Sequence, residues 1–181
     1  MNLANKVTLL RIILVPVFMF FLLTRIPYVQ YIAAAIFIFA ASTDGLDGYI
    51  ARKRKEITNL GKLMDPLADK LLISAALICL VELKAVSGWV AFVIIAREFF
   101  VTGLRSIAAS EGVVIAASKL GKAKTLSQII AVAAILLNDY PFRFLGISFG
   151  QYAMYVAVFF TVWSGLDYYV KARRSARLKL E

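Results

Sequence analysis

The chemistry available to this chain of 181 residues gathers between Ser42 and Lys70, which carries Asp44, Asp47, Glu56, Asp65 and Asp69, five of the eleven acidic residues. Asp44 and Asp47 stand three apart and Asp65 and Asp69 four apart, so on helices each pair shares a face. Joined by a turn, the two faces can converge. All four adjoin or enter apolar runs, where a carboxylate at a helix centre costs about 2.5–3.5 kcal/mol on insertion scales. Four together therefore require a cation between them. The chain has no histidine and one cysteine, so the donor set is oxygen only. That selects a hard divalent ion, Mg²⁺ or Mn²⁺, over zinc, and Ca²⁺ suits a rigid helical site less naturally. Without imidazole, carboxylates must do any acid or base work, and a covalent histidine route is excluded.

Gly48 directly follows Asp47, and Gly61 precedes Asp65 by four residues; missing side chains there would let a bulky ligand approach the backbone. Arg52 offers a fork for phosphate and Thr58 a hydroxyl. The competing reading is structural: the glycines would allow close helix packing, and the aspartates would neutralise Arg52, Lys53, Arg54 and Lys55.

A second polar group lies further on. Glu98, Thr102 and Arg105 recur at helical spacing and so share a face, with Arg97 beside them. Charged residues there should point into a bundle, either as an internal Arg97–Glu98 pair or as part of a site. The following connection supplies Lys119, Lys122, Lys124, Thr125 and Gln128, cations that suit a phosphate or, alternatively, lipid headgroups.

The elements that must position these residues are apolar. Hydrophobic residues make up 61% of the chain, against about 45–50% in soluble domains. The apolar runs 7–23, 28–41, 67–81, 89–109, 126–137 and 147–170 predict six membrane-spanning helices, with no room for a soluble domain. Residues 1–181 thus read as a single membrane domain. The first run, with no small-x-small cleavage site after it, reads as a retained helix. Cys79 lies in an apolar run as a buried, inert thiol. Alternation of six helices puts the N-terminus, Arg52 to Lys55, Lys119 to Lys124 and the basic tail on one side, leaving little more than Arg25, Lys84 and Arg143 opposite. The positive-inside rule then places both termini in the cytoplasm. The same asymmetry accounts for much of the net charge of +10, with no need for a nucleic-acid partner. Pro27 and Pro141 fall in the outer turns, and Tyr28, Trp89 and Tyr140 suit an interfacial belt.

The pattern Asp44-x2-Asp47-Gly48-x2-Ala51-Arg52-x8-Gly61-x3-Asp65-x3-Asp69 resembles the signature of the CDP-alcohol phosphotransferase family, with its eight fixed residues present. The resemblance implies a six-helix bundle with a polar cavity at the cytoplasmic face. There an alcohol attacks the diphosphate of a CDP-linked donor and releases CMP. It also implies that Asp44, Asp47, Asp65 and Asp69 hold two divalent ions, with Asp69 as the general base. Gly48, Arg52 and Thr58 resemble the positions that take the CDP moiety, and Asn5-x2-Thr8-x2-Arg11 is similar to an element on the nucleotide side of the pocket. Asn5 would otherwise be a plain helix cap.

Residues 96–125 resemble the bacterial branch of that family that pairs CDP-diacylglycerol with glycerol 3-phosphate. A phosphorylated acceptor would explain the further cations Arg11, Arg105, Lys119, Lys122 and Lys124. By the same resemblance the protein is a homodimer in the plasma membrane, with its active site facing the cytoplasm. Inositol phosphate is the nearest alternative acceptor. A cation-coupled transporter is the alternative of a different class, although acidic residues gathered at one face without an inverted repeat argue against it.

Overall fold

The computed structural model describes residues 3–24, 26, 28–54, 59–110 and 119–177, and among these the side chains of 6–24, 26, 28–43, 67, 68, 70–110 and 120–171. The described residues form six α-helices and no strand: α1 (Leu3–Leu23), α2 (Val29–Arg54), α3 (Asn59–Glu82), α4 (Gly88–Ser110), α5 (Lys119–Leu136) and α6 (Phe149–Arg177). A 3₁₀ turn, Phe142–Leu145, precedes α6. The fold is therefore all-α, as the six apolar runs predict. Several boundaries reach beyond those runs: α5 begins at Lys119 instead of 126, α6 runs to Arg177 instead of 170, and the shifts at α2 and α3 are larger still. Helix α2 continues past Ala41 through both aspartates to Arg54, and α3 begins at Asn59, well before Leu67. Hydropathy marks where a helix is apolar, whereas backbone hydrogen bonding carries it into polar sequence.

Local chemistry ends the helices. Beyond α3, Lys84 takes a left-handed conformation at φ 58°, and the Ala85 amide donates back to the Leu80 carbonyl at 2.8 Å, a C-terminal capping arrangement. The Ser87 hydroxyl accepts from the Trp89 amide at 3.3 Å and opens α4. After α5, Asn138 and Asp139 adopt φ 52° and 58°, and Asp139 Oδ1 accepts from the Gly150 amide at 2.6 Å. The connection from α5 to α6 is thus pinned to the first turn of α6. Pro27 and Arg25 lie outside the described residues.

Helix α1 packs on α2 and α3, while α6 packs on α5 and α4; contacts of α2 with α5 and of α3 with α4 join the two groups. Phe18 of α1 meets Phe37 of α2 at a ring-centroid distance of 5.7 Å. The α5–α6 interface is the most extensive. There the Asp139–Gly150 and Gln128–Thr161 hydrogen bonds fall on one antiparallel register. The shared core contains Val15, Phe18, Phe37, Leu72, Leu80, Ile94, Val132 and Met154.

Large apolar side chains are also exposed on every helix. Ile13 and Phe20, Ile32 and Phe39, Leu71 and Ile78, Phe92 and Ile107, Leu126 and Ile130, and Phe159 and Trp163 are exposed on the six helices in turn. Soluble monomers do not carry apolar surface of this extent. Among the described residues, α1 contains a stretch long and apolar enough to cross a membrane, Lys6–Leu23, and α2 a shorter one, Val29–Thr43. In α4, Arg97, Glu98 and Arg105 interrupt a comparable stretch.

Glycine positions test this packing. A Cβ at Gly150 would come within 2.6 Å of Ile135 Cγ1 and 3.0 Å of the Ile135 backbone nitrogen, whereas one at Gly103 meets nothing within 4 Å. Gly150→Ala should lower stability by about 1–3 kcal/mol through overpacking. Gly103→Ala should leave it unchanged or raise it by up to about 1 kcal/mol. Thermal unfolding in detergent would show the contrast as a lowered midpoint for Gly150→Ala alone.

Candidate active site

The buried positions of each helix form a stripe at spacings of three and four, and every stripe changes character along its length. On α1 it runs Thr8, Arg11, Val15, Phe18, Leu22, polar at the start and apolar thereafter. On α2, Phe37 and Ala40 are fully buried, and the same face continues in register to Asp44 and Asp47. On α3, the face of Leu72, Ala76 and Leu80 extends back to Asp69 and Asp65. The α4 stripe is Ala91, Ile94, the half-buried Glu98 and Val101, with the exposed Arg105 next on the same face; that of α5 runs Lys124, Gln128, Ala131; that of α6 runs Met154, Ala157, Thr161, Ser164, Tyr168. Short connections make successive helices antiparallel, so the polar ends of all six stripes fall at one end of the bundle.

Within that polar end, Arg11 and Thr8 are 1% exposed, so α1 carries a guanidinium into the bundle at the level its register with α2 gives to Asp44. The clearest geometry is on α4, α5 and α6. Lys124 Nζ donates to Glu98 Oε1, and Arg97 Nη1 donates to the same oxygen at 3.4 Å. The Lys124 and Glu98 side chains are 6% and 12% exposed, so this is an interior ion pair. Arg97 Nη2 donates to Ser164 Oγ at 2.8 Å, and its guanidinium carbon lies 5.7 Å from the centre of the Tyr168 ring. Gly165 makes room for it, since a Cβ there would stand 3.2 Å from Arg97 Cγ. Arg97 Nε is buried without an acceptor. One turn away, Gln128 Nε2 donates to Thr161 Oγ1 at 3.0 Å.

The cations named from sequence divide between interior and surface. Lys124 and Arg11 are buried, whereas Lys122 and Arg105 are exposed. The expected inward stripe of α4 therefore holds at Glu98 and gives way at Arg105, which occupies the same face but is open to solvent. Thr102 spends its hydroxyl on the Glu98 carbonyl at 2.7 Å. Asn5 lies on α1; Asp44, Asp47, Gly48 and Arg52 lie on α2; Gly61, Asp65 and Asp69 lie on α3; and Lys119 opens α5. The side chains of these residues, and Thr58 altogether, are outside the described residues. Among the described residues no group of three or more His, Cys, Asp or Glu could hold a metal. Sequence reasoning missed Thr161, Ser164 and Tyr168. Their signal was present as three polar residues at spacings of three and four within an aromatic helix.

Glu98 is the point on which two cations converge. Removing one partner of a buried pair costs about 3–5 kcal/mol. Glu98→Gln and Lys124→Met should each destabilise the protein, and the double variant should lose less than their sum, with a coupling of about 1–3 kcal/mol. Unfolding measurements on the four proteins of the cycle would check this.

Comparison with known proteins gives a consistent picture. Residues 1–163 match the family model described as CDP-alcohol phosphatidyltransferase. The CDP-diacylglycerol–glycerol-3-phosphate 3-phosphatidyltransferase of Bacillus subtilis (strain 168) is 50% identical over 94% of this chain and 94% of its own length. Proteins of the same name from Rickettsia bellii and Pectobacterium atrosepticum are 34% and 36% identical, covering 96% and 95% of each chain.

Proposed function

The chain belongs to the CDP-alcohol phosphatidyltransferase family, and on that footing we propose that it transfers a phosphatidyl group from CDP-diacylglycerol to the 1-hydroxyl of sn-glycerol 3-phosphate. The products are phosphatidylglycerophosphate and CMP, a step of phospholipid synthesis. The observation that carries this reading is 50% identity, sustained over 94% of both chains, to a protein named for that reaction.

The reaction calls for a divalent cation, and the donor set fits one. Asp44 and Asp47 on α2 and Asp65 and Asp69 on α3 offer carboxylate oxygens alone, which suit Mg²⁺ or Mn²⁺; the free thiol, Cys79, is buried in the apolar core. Two such ions, when bound, would neutralise the diphosphate of the donor. Asn5, Thr8, Gly48, Arg52 and Thr58 would bind CDP-diacylglycerol. Arg11, Arg105, Lys119, Lys122 and Lys124 would supply positive charge for the acceptor phosphate. Asp69 takes the proton from the 1-hydroxyl of glycerol 3-phosphate, and that oxygen attacks the phosphorus bearing diacylglycerol. The bond from this phosphorus to the oxygen of CMP breaks as the new ester forms.

The lipid donor requires access from a bilayer. Exposed apolar side chains on all six helices support a multi-pass placement in the plasma membrane. The basic segments support cytoplasmic termini, with the polar end forming a cavity on that side. We assign residues 1–181 to one domain and the functional form to a homodimer.

Purified protein should release CMP from CDP-diacylglycerol with glycerol 3-phosphate and Mg²⁺ or Mn²⁺. It should fall silent with EDTA and lose at least about a hundredfold in rate as Asp69→Asn. Turnover with inositol phosphate, inositol or serine in its place would reassign the acceptor, and silence with every acceptor in the presence of metal would refute the reaction.

A further inference from the structure

Both cations at Glu98 meet the same oxygen. Lys124 Nζ and Arg97 Nη1 donate to Oε1, and among the described residues no hydrogen bond falls on Oε2. An ionised carboxylate has about four acceptor sites on its two oxygens, so Glu98 retains accepting capacity on the second. It is also held still. Lys124 fixes it from α5, and Arg97, itself tied to Ser164 and stacked near Tyr168, fixes it from the α6 side. With 12% of the side chain exposed, the carboxylate remains within reach of a small ligand.

The kind of group that Oε2 would take follows from its chemistry. It can only accept, and it repels a phosphate oxygen, so its partner is a neutral donor such as a hydroxyl. Arg105 lies two turns further along the same stripe, at the exposed end of α4. A phosphorylated polyol would match this order of groups, placing its anion on cations and a free hydroxyl on the carboxylate. We propose that Glu98 is a specificity-determining residue, whose Oε2 accepts a hydrogen bond from the acceptor hydroxyl that does not react, the one on the middle carbon of glycerol 3-phosphate. This rests on the phosphatidyl-transfer reading and deepens it, because none of the motif aspartates is involved.

The test compares glycerol 3-phosphate with 3-hydroxypropyl phosphate, which keeps the reacting hydroxyl and the phosphate but lacks the middle hydroxyl. CMP release gives kcat/KM for each acceptor, and the ratio of the two is the readout. The parent protein should favour glycerol 3-phosphate by about tenfold or more, the effect of one hydrogen bond to a charged group. Glu98→Ala should bring the ratio close to one. Glu98→Gln, which keeps the shape and one acceptor oxygen, should hold an intermediate ratio and serves for the comparison if the alanine variant does not fold. A purely structural Glu98 would lower both values and leave their ratio unchanged, which overturns the proposal. Equal use of the two acceptors by the parent also overturns it, while leaving the phosphatidyl-transfer reading intact. Release of CMP with neither acceptor refutes that reading and this one together.

Discussion

Charge held between helices has to be compensated where it stands, because neither hydrocarbon nor a packed interior solvates it. This constraint organises the polar end of the bundle. Glu98 balances Lys124 from another helix, Arg97 shares the same oxygen, and Ser164 and Tyr168 engage the Arg97 guanidinium at Nη2 and across its face, leaving Nε without an acceptor. Three helices are thereby locked to one another through a few polar atoms.

The apolar half of the interior makes that arrangement possible. Phe18 against Phe37, and the long α5–α6 contact with glycine at its start, fix how far each helix slides along its neighbour. In a lipid environment such packing must come largely from close van der Waals contact and interhelical hydrogen bonds, since lipid tails solvate aliphatic side chains as well as another helix does. The Gln128–Thr161 bond at the middle of α5 and the Asp139–Gly150 bond just beyond its end hold the register that brings Lys124 to the depth of Ser164.

Much of this was legible from residue spacing. Six apolar runs gave six helices, and paired aspartates three and four apart marked two helix faces, because both patterns follow from helical periodicity. Helix ends were less legible, since α2 and α3 run into polar sequence that hydropathy does not score as helix. The Glu98–Lys124 pair was out of reach for another reason: its partners lie 26 residues apart on different helices, and spacing carries no information across a connection. The division of the lysines, Lys124 inside and Lys122 outside, likewise depends on which side of α5 faces α4 and α6. Ser164 and Thr161 were hidden because aromatic residues on the other faces of α6 dominate its composition.

The change of interior character partway along the bundle limits how far a proton could travel through it. A carboxylate-rich pocket with water in it would be a proton wire if its polar groups continued from one side to the other. Here the described polar interior ends near Thr8, Arg11, Gln128 and Thr161, and the layers beyond are Val15, Phe18, Leu22, Phe37, Leu72, Leu80, Val132 and Met154. These side chains neither donate nor accept, so among the described residues no hydrogen-bonded chain runs the length of the bundle. The same hydrocarbon layer that sets the helix register is thus an insulating plug, separating the polar end of the bundle from its other end.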